Sequence, residues 1–194
     1  MTRRIATLAS VSLISALALG GCSAAATQGH DHSSMGASSS ASATTSTMSD
    51  GDIMFAQMMI PHHEQAIEMS TLAQTRSQNA GLLAVADQIK AAQAPEIALM
   101  TAWLVDAGAP MAMGHDMGDD GMLSEEEMAA ISNATGTEFD KLYLNGMIAH
   151  HEGAIAMAKT VQNSKNADVK ALSDNIIASQ TAEIETLKQL LAAL

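Results

Sequence analysis

Met59-Ile60-Pro61-His62-His63-Glu64-Gln65-Ala66-Ile67-Glu68-Met69 returns 88 residues later as Met147-Ile148-Ala149-His150-His151-Glu152-Gly153-Ala154-Ile155-Ala156-Met157. Both copies keep paired histidines, a glutamate directly behind them and methionines on either side. Four of the seven histidines therefore sit in two matched sites. Downstream segments match as well: Asp87-Gln88-Ile89 with Asp174-Asn175-Ile176, and Gln93-Ala94-Pro95-Glu96-Ile97 with Gln180-Thr181-Ala182-Glu183-Ile184. Apolar residues recur through these segments with helical spacing. Each repeat reads as a helical hairpin, and two hairpins make an all-α four-helix bundle.

The spacing predicts helices over about 51–77, 81–107, 138–163 and 168–192. Gly108 and Pro110 end the second of these, as a C-terminal glycine and a following proline commonly do. Ser124-Glu125-Glu126-Glu127 is a capping box that starts a short extra helix running to about Asn133. The bundle domain thus spans 50–194, about 145 residues, enough for one core. Repeat 1 covers about 50–108, a Met-rich connection with the short helix 109–136, and repeat 2 about 137–194. Pro61 and Pro95 fall inside helices, where proline removes a hydrogen bond and usually causes a bend. Ala149 and Ala182 at the matching places indicate that the helices run through. A bend next to His62 is expected to make the two sites unequal.

At about 100° per residue, Phe55, Met58, Ala66, Met69 and Ala73 lie near His62. Met59 and His63 form an i,i+4 pair further round the same half of the helix. In the second repeat Tyr143, Ala154, Met157 and Val161 flank His150, and Met147 pairs with His151. Gln57, Glu64 and Glu68 fall on the opposite side, so the glutamate of each His-His-Glu triplet, Glu64 or Glu152, is expected to face away from the histidines. Other carboxylates face inward. Glu96 and Gln93 lie within the stripe Leu82, Val85, Ile89, Met100, Trp103, and Glu183 and Gln180 within Val169, Leu172, Ile176, Leu187, Leu190. A carboxylate in a core stripe is costly unless paired or bound to metal. Glu96, Glu183, Gln93 and Gln180 are therefore expected to orient the imidazoles of the antiparallel helix or to ligate metal themselves. The bland alternative is that they reach solvent at the stripe's edge.

The N-terminus reads as an export signal. Arg3 and Arg4 precede an apolar run, Ile5 to Leu19, too short to span a membrane as a mature helix. Leu19-Gly20-Gly21-Cys22 looks like a lipoprotein signal, with Cys22 as the lipidated residue after removal of 1–21; the alternative is a plain secretory signal. Cys22 is the only cysteine, so neither an intramolecular disulfide nor a thiolate cluster is available. Losing two arginines and no acids would move the formal charge from −12 to −14. Such acidity disfavours nucleic acid and mildly concentrates cations. The expected protein is extracytoplasmic and anchored to the bacterial cell membrane through lipid, with residues 22–49 a Ser/Ala/Thr-rich tether.

Repeated imidazole and thioether in an exported protein point to metal. A buried histidine network that only specifies packing is the alternative, and most methionines alone would simply fill core. His62, His63, His150 and His151 with Met59 and Met147, flanked by Met69 and Met157, make up the expected site. Thioether and imidazole favour copper, Cu(I) in particular, over ions that prefer oxygen. The tether adds His30, His32 and Met35, and the connection between the hairpins adds Met111, Met113, His115, Met117 and Met122. These read as auxiliary metal-capturing segments or as solvated, Met-rich linkers.

The paired His-His-Glu segments, the Gln-x-x-Glu-Ile segments and Gly121-Met122-Leu123-Ser124 resemble the bacterial secreted family called domain of unknown function 305, over roughly Asp50 to Leu194. The resemblance implies a ferritin-like four-helix bundle of two similar hairpins, with His62-His63 and His150-His151 as its histidine pairs. Some relatives are associated with copper binding and copper resistance. Gly146 departs from the pattern, standing where repeat 1 has Met58, which makes Met59 the firmer ligand. The leading expectation is a lipid-anchored copper-binding protein that buffers, sequesters or hands over the ion to a metal-exchange partner. A ferritin-like di-metal oxidoreductase and a metal-free structural bundle are the alternatives. Ferritin-like di-iron sites use Glu-x-x-His on two helices, and no Glu-x-x-His occurs in this chain, so binding rather than catalysis is expected.

Overall fold

A serine or asparagine caps the start of three of the four hairpin helices, whereas Thr135 ahead of the remaining one makes no side-chain cap. Ser49 accepts from the Asp52 amide at 3.2 Å, while the Asp52 carboxylate accepts from the Ser49 amide at 2.9 Å, a reciprocal cap. Asn79 accepts from the amides of Gly81 and Leu82, and Asn166 from those of Asp168 and Val169. Ser77 and Ser164 brace these asparagines in the same way, each accepting the asparagine amide at 3.0 Å. The helices are α1 Asp50–Arg76, α2 Ala80–Asp106, α3 Glu125–Asn133, α4 Gly136–Thr160 and α5 Ala167–Ala192. This computed structural model describes residues 48–112 and 121–194, and no strand occurs among the described residues. Pro61 and Pro95 lie inside α1 and α2, which continue through them, and Ser124 with Glu127 forms the expected capping box. The tether, with Cys22, His30, His32 and Met35, and Met113, His115 and Met117 of the connection lie outside the described residues.

Helix α1 packs on α2 and α4 on α5, α1 and α4 join the hairpins, and α3 lies mainly on α4. The core is divided into two apolar clusters. One gathers Phe55, Met59 and Ile60 from early α1 with Ala154 and Met157 from late α4 and Val161 just after it. The other gathers Ala66, Met69 and Ala73 from late α1 with Phe139, Tyr143 and Met147 from early α4. This exchange of ends means α1 and α4 run antiparallel. Between the clusters lie His62, His63, His150 and His151, each at most 1% exposed. No helix among the described residues is long and apolar enough to cross a membrane.

One expectation is corrected. Gln57 is buried, not outward, because the chain after α2 folds back and its Nε2 donates to the Pro110 carbonyl at 2.7 Å. Glu64, Glu68 and Glu152 are exposed as expected, Glu152 pairing with Lys188 at 3.7 Å.

The ends of the bundle differ in one informative place. The hydroxyls of Tyr143 and Ser70 meet at 3.1 Å, both side chains buried. The repeat-related residues are Phe55 and Ala158, both within the other apolar cluster. A hydroxyl pair and its methyl-and-ring counterpart thus occupy equivalent positions. Tyr143→Phe is predicted to cost about 1–3 kcal/mol by removing the buried Ser70 hydroxyl's partner. Adding Ser70→Ala should recover most of that loss in chemical denaturation; equal destabilisation in single and double variants would contradict it.

Candidate metal centre

Adjacent residues on a helix diverge by about 100°, and each histidine pair uses that angle to reach two neighbours. The first member faces the other hairpin. His62 and His150 stack with ring centroids 3.7 Å apart, tilted by 37°. The second member faces the partner helix of its own hairpin. His63 Nε2 lies 2.7 Å from Glu96 Oε2, and His151 Nε2 lies 2.7 Å from Glu183 Oε2. Equivalent residues touch at the stack, so a pseudo-two-fold axis relating the hairpins passes there. The proline beside His62 was expected to make the sites unequal, yet these two hydrogen bonds are of equal length.

The hydrogen bonds fix much of the chemistry. With the carboxylate as acceptor, the proton of each bonded ring sits on Nε2. In a neutral imidazole the lone pair is then on Nδ1. His63 Nδ1 and His151 Nδ1 are buried without a hydrogen-bond partner, as are both ring nitrogens of His150. Gln93 and Gln180 are each 2% exposed, and their amide oxygens are likewise unpartnered. Each such group costs about 1–3 kcal/mol. Burial first, then the charges that His62, His151 and His63 would carry, hold the His150 imidazole well below the usual histidine range. It is therefore a neutral ring at physiological pH.

The methionines bracket this polar layer. Met59 and Met147 are fully buried and belong to opposite apolar clusters, as do Met157 and Met69. Met111 is exposed, and Met58 is partly buried against the first cluster. Among the described residues no three His, Cys, Asp or Glu side chains are already arranged around one point that an ion would fill. The rings are stacked and hydrogen-bonded instead. The donor set nevertheless fits a soft ion, because buried imidazole lone pairs without partners sit between buried thioethers.

Two features escaped the sequence reading. The His62–His150 stack crosses between hairpins, which the angles of a single helix do not reveal. Gln65 was passed over too. It donates to the Leu123 carbonyl and accepts from the Leu123 amide, both at 2.8 Å. A signal existed, since the repeat has Gly153 at the position matching Gln65.

The family described as Domain of unknown function (DUF305) matches residues 52–191. The chain belongs to the DUF305 family. A DUF305 fragment from Deinococcus radiodurans is 29% identical and superposes with a TM-score of 0.70, the match covering 76% of this chain and 99% of that one. A DUF305 protein from Streptomyces coelicolor is 30% identical with a TM-score of 0.71, covering 74% and 93%. CopM in its Cu(I)-bound form is 32% identical with a TM-score of 0.61, covering 71% and 93%, and it has also been crystallised with Cu(II) and with Ag. An uncharacterized protein of Acanthamoeba polyphaga mimivirus is 47% identical over 53 residues, and the chain matches 35% of its length.

The depressed His150 titration gives this DUF305 domain a pH dependence. Below about pH 6.5 the unfolded chain binds a proton on His150 that the folded chain does not. Stability from this residue is complete above that pH and is lost as pH falls below it. The metal-free protein should melt at a lower temperature near pH 5 than near pH 7.5, and His150→Phe should flatten the slope. An unaltered slope in that variant would remove His150 as the cause.

Proposed function

We propose that this DUF305 protein is an exported, lipid-anchored protein that binds copper, Cu(I) above all, and buffers, sequesters or passes on the ion. The observation that carries this reading is the buried set of unpartnered imidazole nitrogens on His63, His150 and His151 beside Met59 and Met147. The crystallisation of CopM, 32% identical, with Cu(I) supports the choice of ion. Copper here is cargo. His62, His63, His150 and His151 with Met59 and Met147 would hold it, and Met69 and Met157 would close the layer above and below. Glu96 and Glu183 would aim His63 and His151 through the Nε2 protons, leaving Nδ1 for the ion. Gln93 and Gln180 would serve as further polar neighbours.

With their ring centroids 3.7 Å apart, His62 and His150 leave no space for an ion between the ring faces, so ligation by both would turn them relative to one another. Residues 1–21 would be removed on export, Cys22 would carry lipid, and 22–49 would tether the bundle of 50–194 outside the cell membrane. His30, His32, Met111, Met113, His115 and Met117 would serve as low-affinity capture groups. A protein partner would receive or supply the ion, and the acidic chain would not bind nucleic acid.

Competition titration with a Cu(I) chelator in the absence of oxygen tests the reading. Replacing His62, His63, His150 and His151 together by alanine should abolish tight binding. Glu96→Gln or Glu183→Gln should weaken it about 10- to 100-fold, as lost orienting contacts do. Wild-type affinity in the quadruple variant would overturn the proposal.

A further inference from the structure

The groove between α1 and α4, on the side away from the carboxylates, is crossed by residues 121–123. Gln65 on α1 grips both backbone groups of Leu123 at 2.8 Å. On α4 the contacts run along one stripe. A Cβ at Gly121 would lie 2.7 Å from the Ala149 carbonyl oxygen and 2.9 Å from Gly153 Cα, and a Cβ at Gly146 would lie 3.0 Å from the Leu123 side chain. Gly121 also has φ +82°, a conformation glycine adopts without strain. Relative to His150, positions 146, 149 and 153 fall about 40–100° to one side and His151 about 100° to the other. Gln65 stands in the same relation to His62. The crossing is thus at the level of the stack.

The repeat records the fit. Gly146, Ala149 and Gly153 on α4 each replace a larger residue of α1, namely Met58, Pro61 and Gln65. The three smaller residues form a trough, and only α4 has it. A pocket of about 320 Å³ opens beside the crossing segment, between it, α3 and the Leu142–Ala149 stretch of α4.

We propose that residues 121–123 roof the His62–His150 stack, that Gln65 is the positioning residue that latches this roof, and that metal exchanges with the site through this side. This rests on the histidine layer being the metal site. The competing route passes Glu96 and Glu183, whose side chains are 20% and 16% exposed. Gln65→Leu keeps the bulk of the side chain and removes both hydrogen bonds. Gly121→Ala displaces the roof from the other end.

Both variants, in the full chain, are compared with wild type in two measurements. In the first, Cu(I) transfer to and from a colorimetric chelator is followed in time. Each variant should exchange about tenfold faster in both directions at little-changed affinity, the size expected from losing two modest hydrogen bonds. In the second, metal-free protein is treated with diethyl pyrocarbonate and the modified histidines are located by mass spectrometry. His62 and His150 should gain reactivity about tenfold while His63 and His151 stay near wild type. Unchanged exchange and labelling, or equal gains at all four histidines, would overturn the roof. Should wild type take up no Cu(I), the metal reading fails while the labelling pattern still decides whether Gln65 latches access to the stack.

Discussion

A layer of four buried imidazoles lies between two hydrocarbon clusters, and the rest of the bundle is arranged around it. Unpartnered polar groups in such a place are individually unfavourable. The apolar clusters on either side must more than offset them, and they are supplied by exchanging the ends of α1 and α4. The carboxylates of Glu96 and Glu183 relieve only one nitrogen on each ring they touch. What remains is a set of lone pairs whose orientation the protein has already selected.

That selection links stability to recognition. In the proposed reading, the carboxylates 2.7 Å from His63 and His151 would orient those rings before any ion arrives. His62 and His150 are prepared differently, by stacking on one another. Their contact contributes to joining the hairpins. Two of the rings are thus held by carboxylates and two by one another.

The fold was legible because period and repetition agree. The His-His-Glu segments and the Gln-x-x-Glu-Ile segments share helical spacing, and the helix limits follow within a few residues. Glu96 and Glu183 were legible because a carboxylate inside an apolar stripe needs a partner, and the antiparallel helix offers one. Gln57 was misread because a helical wheel assigns every residue opposite the core to water. It cannot show that the chain near Pro110 returns to cover that face. The His62–His150 stack was illegible for a related reason, since facing angles within a helix say nothing about which residue of another hairpin lies opposite.

The divergence of Gly146, Ala149 and Gly153 from Met58, Pro61 and Gln65 has a geometric consequence. A segment lying across a two-fold axis cannot itself be two-fold symmetric, so a dimer of identical hairpins would offer two copies competing for one seat. Covalent fusion of the hairpins removes the competition, because one connection exists and one helix can be pared down to receive it. Duplication within a single chain thus permits a symmetric donor set with an asymmetric enclosure.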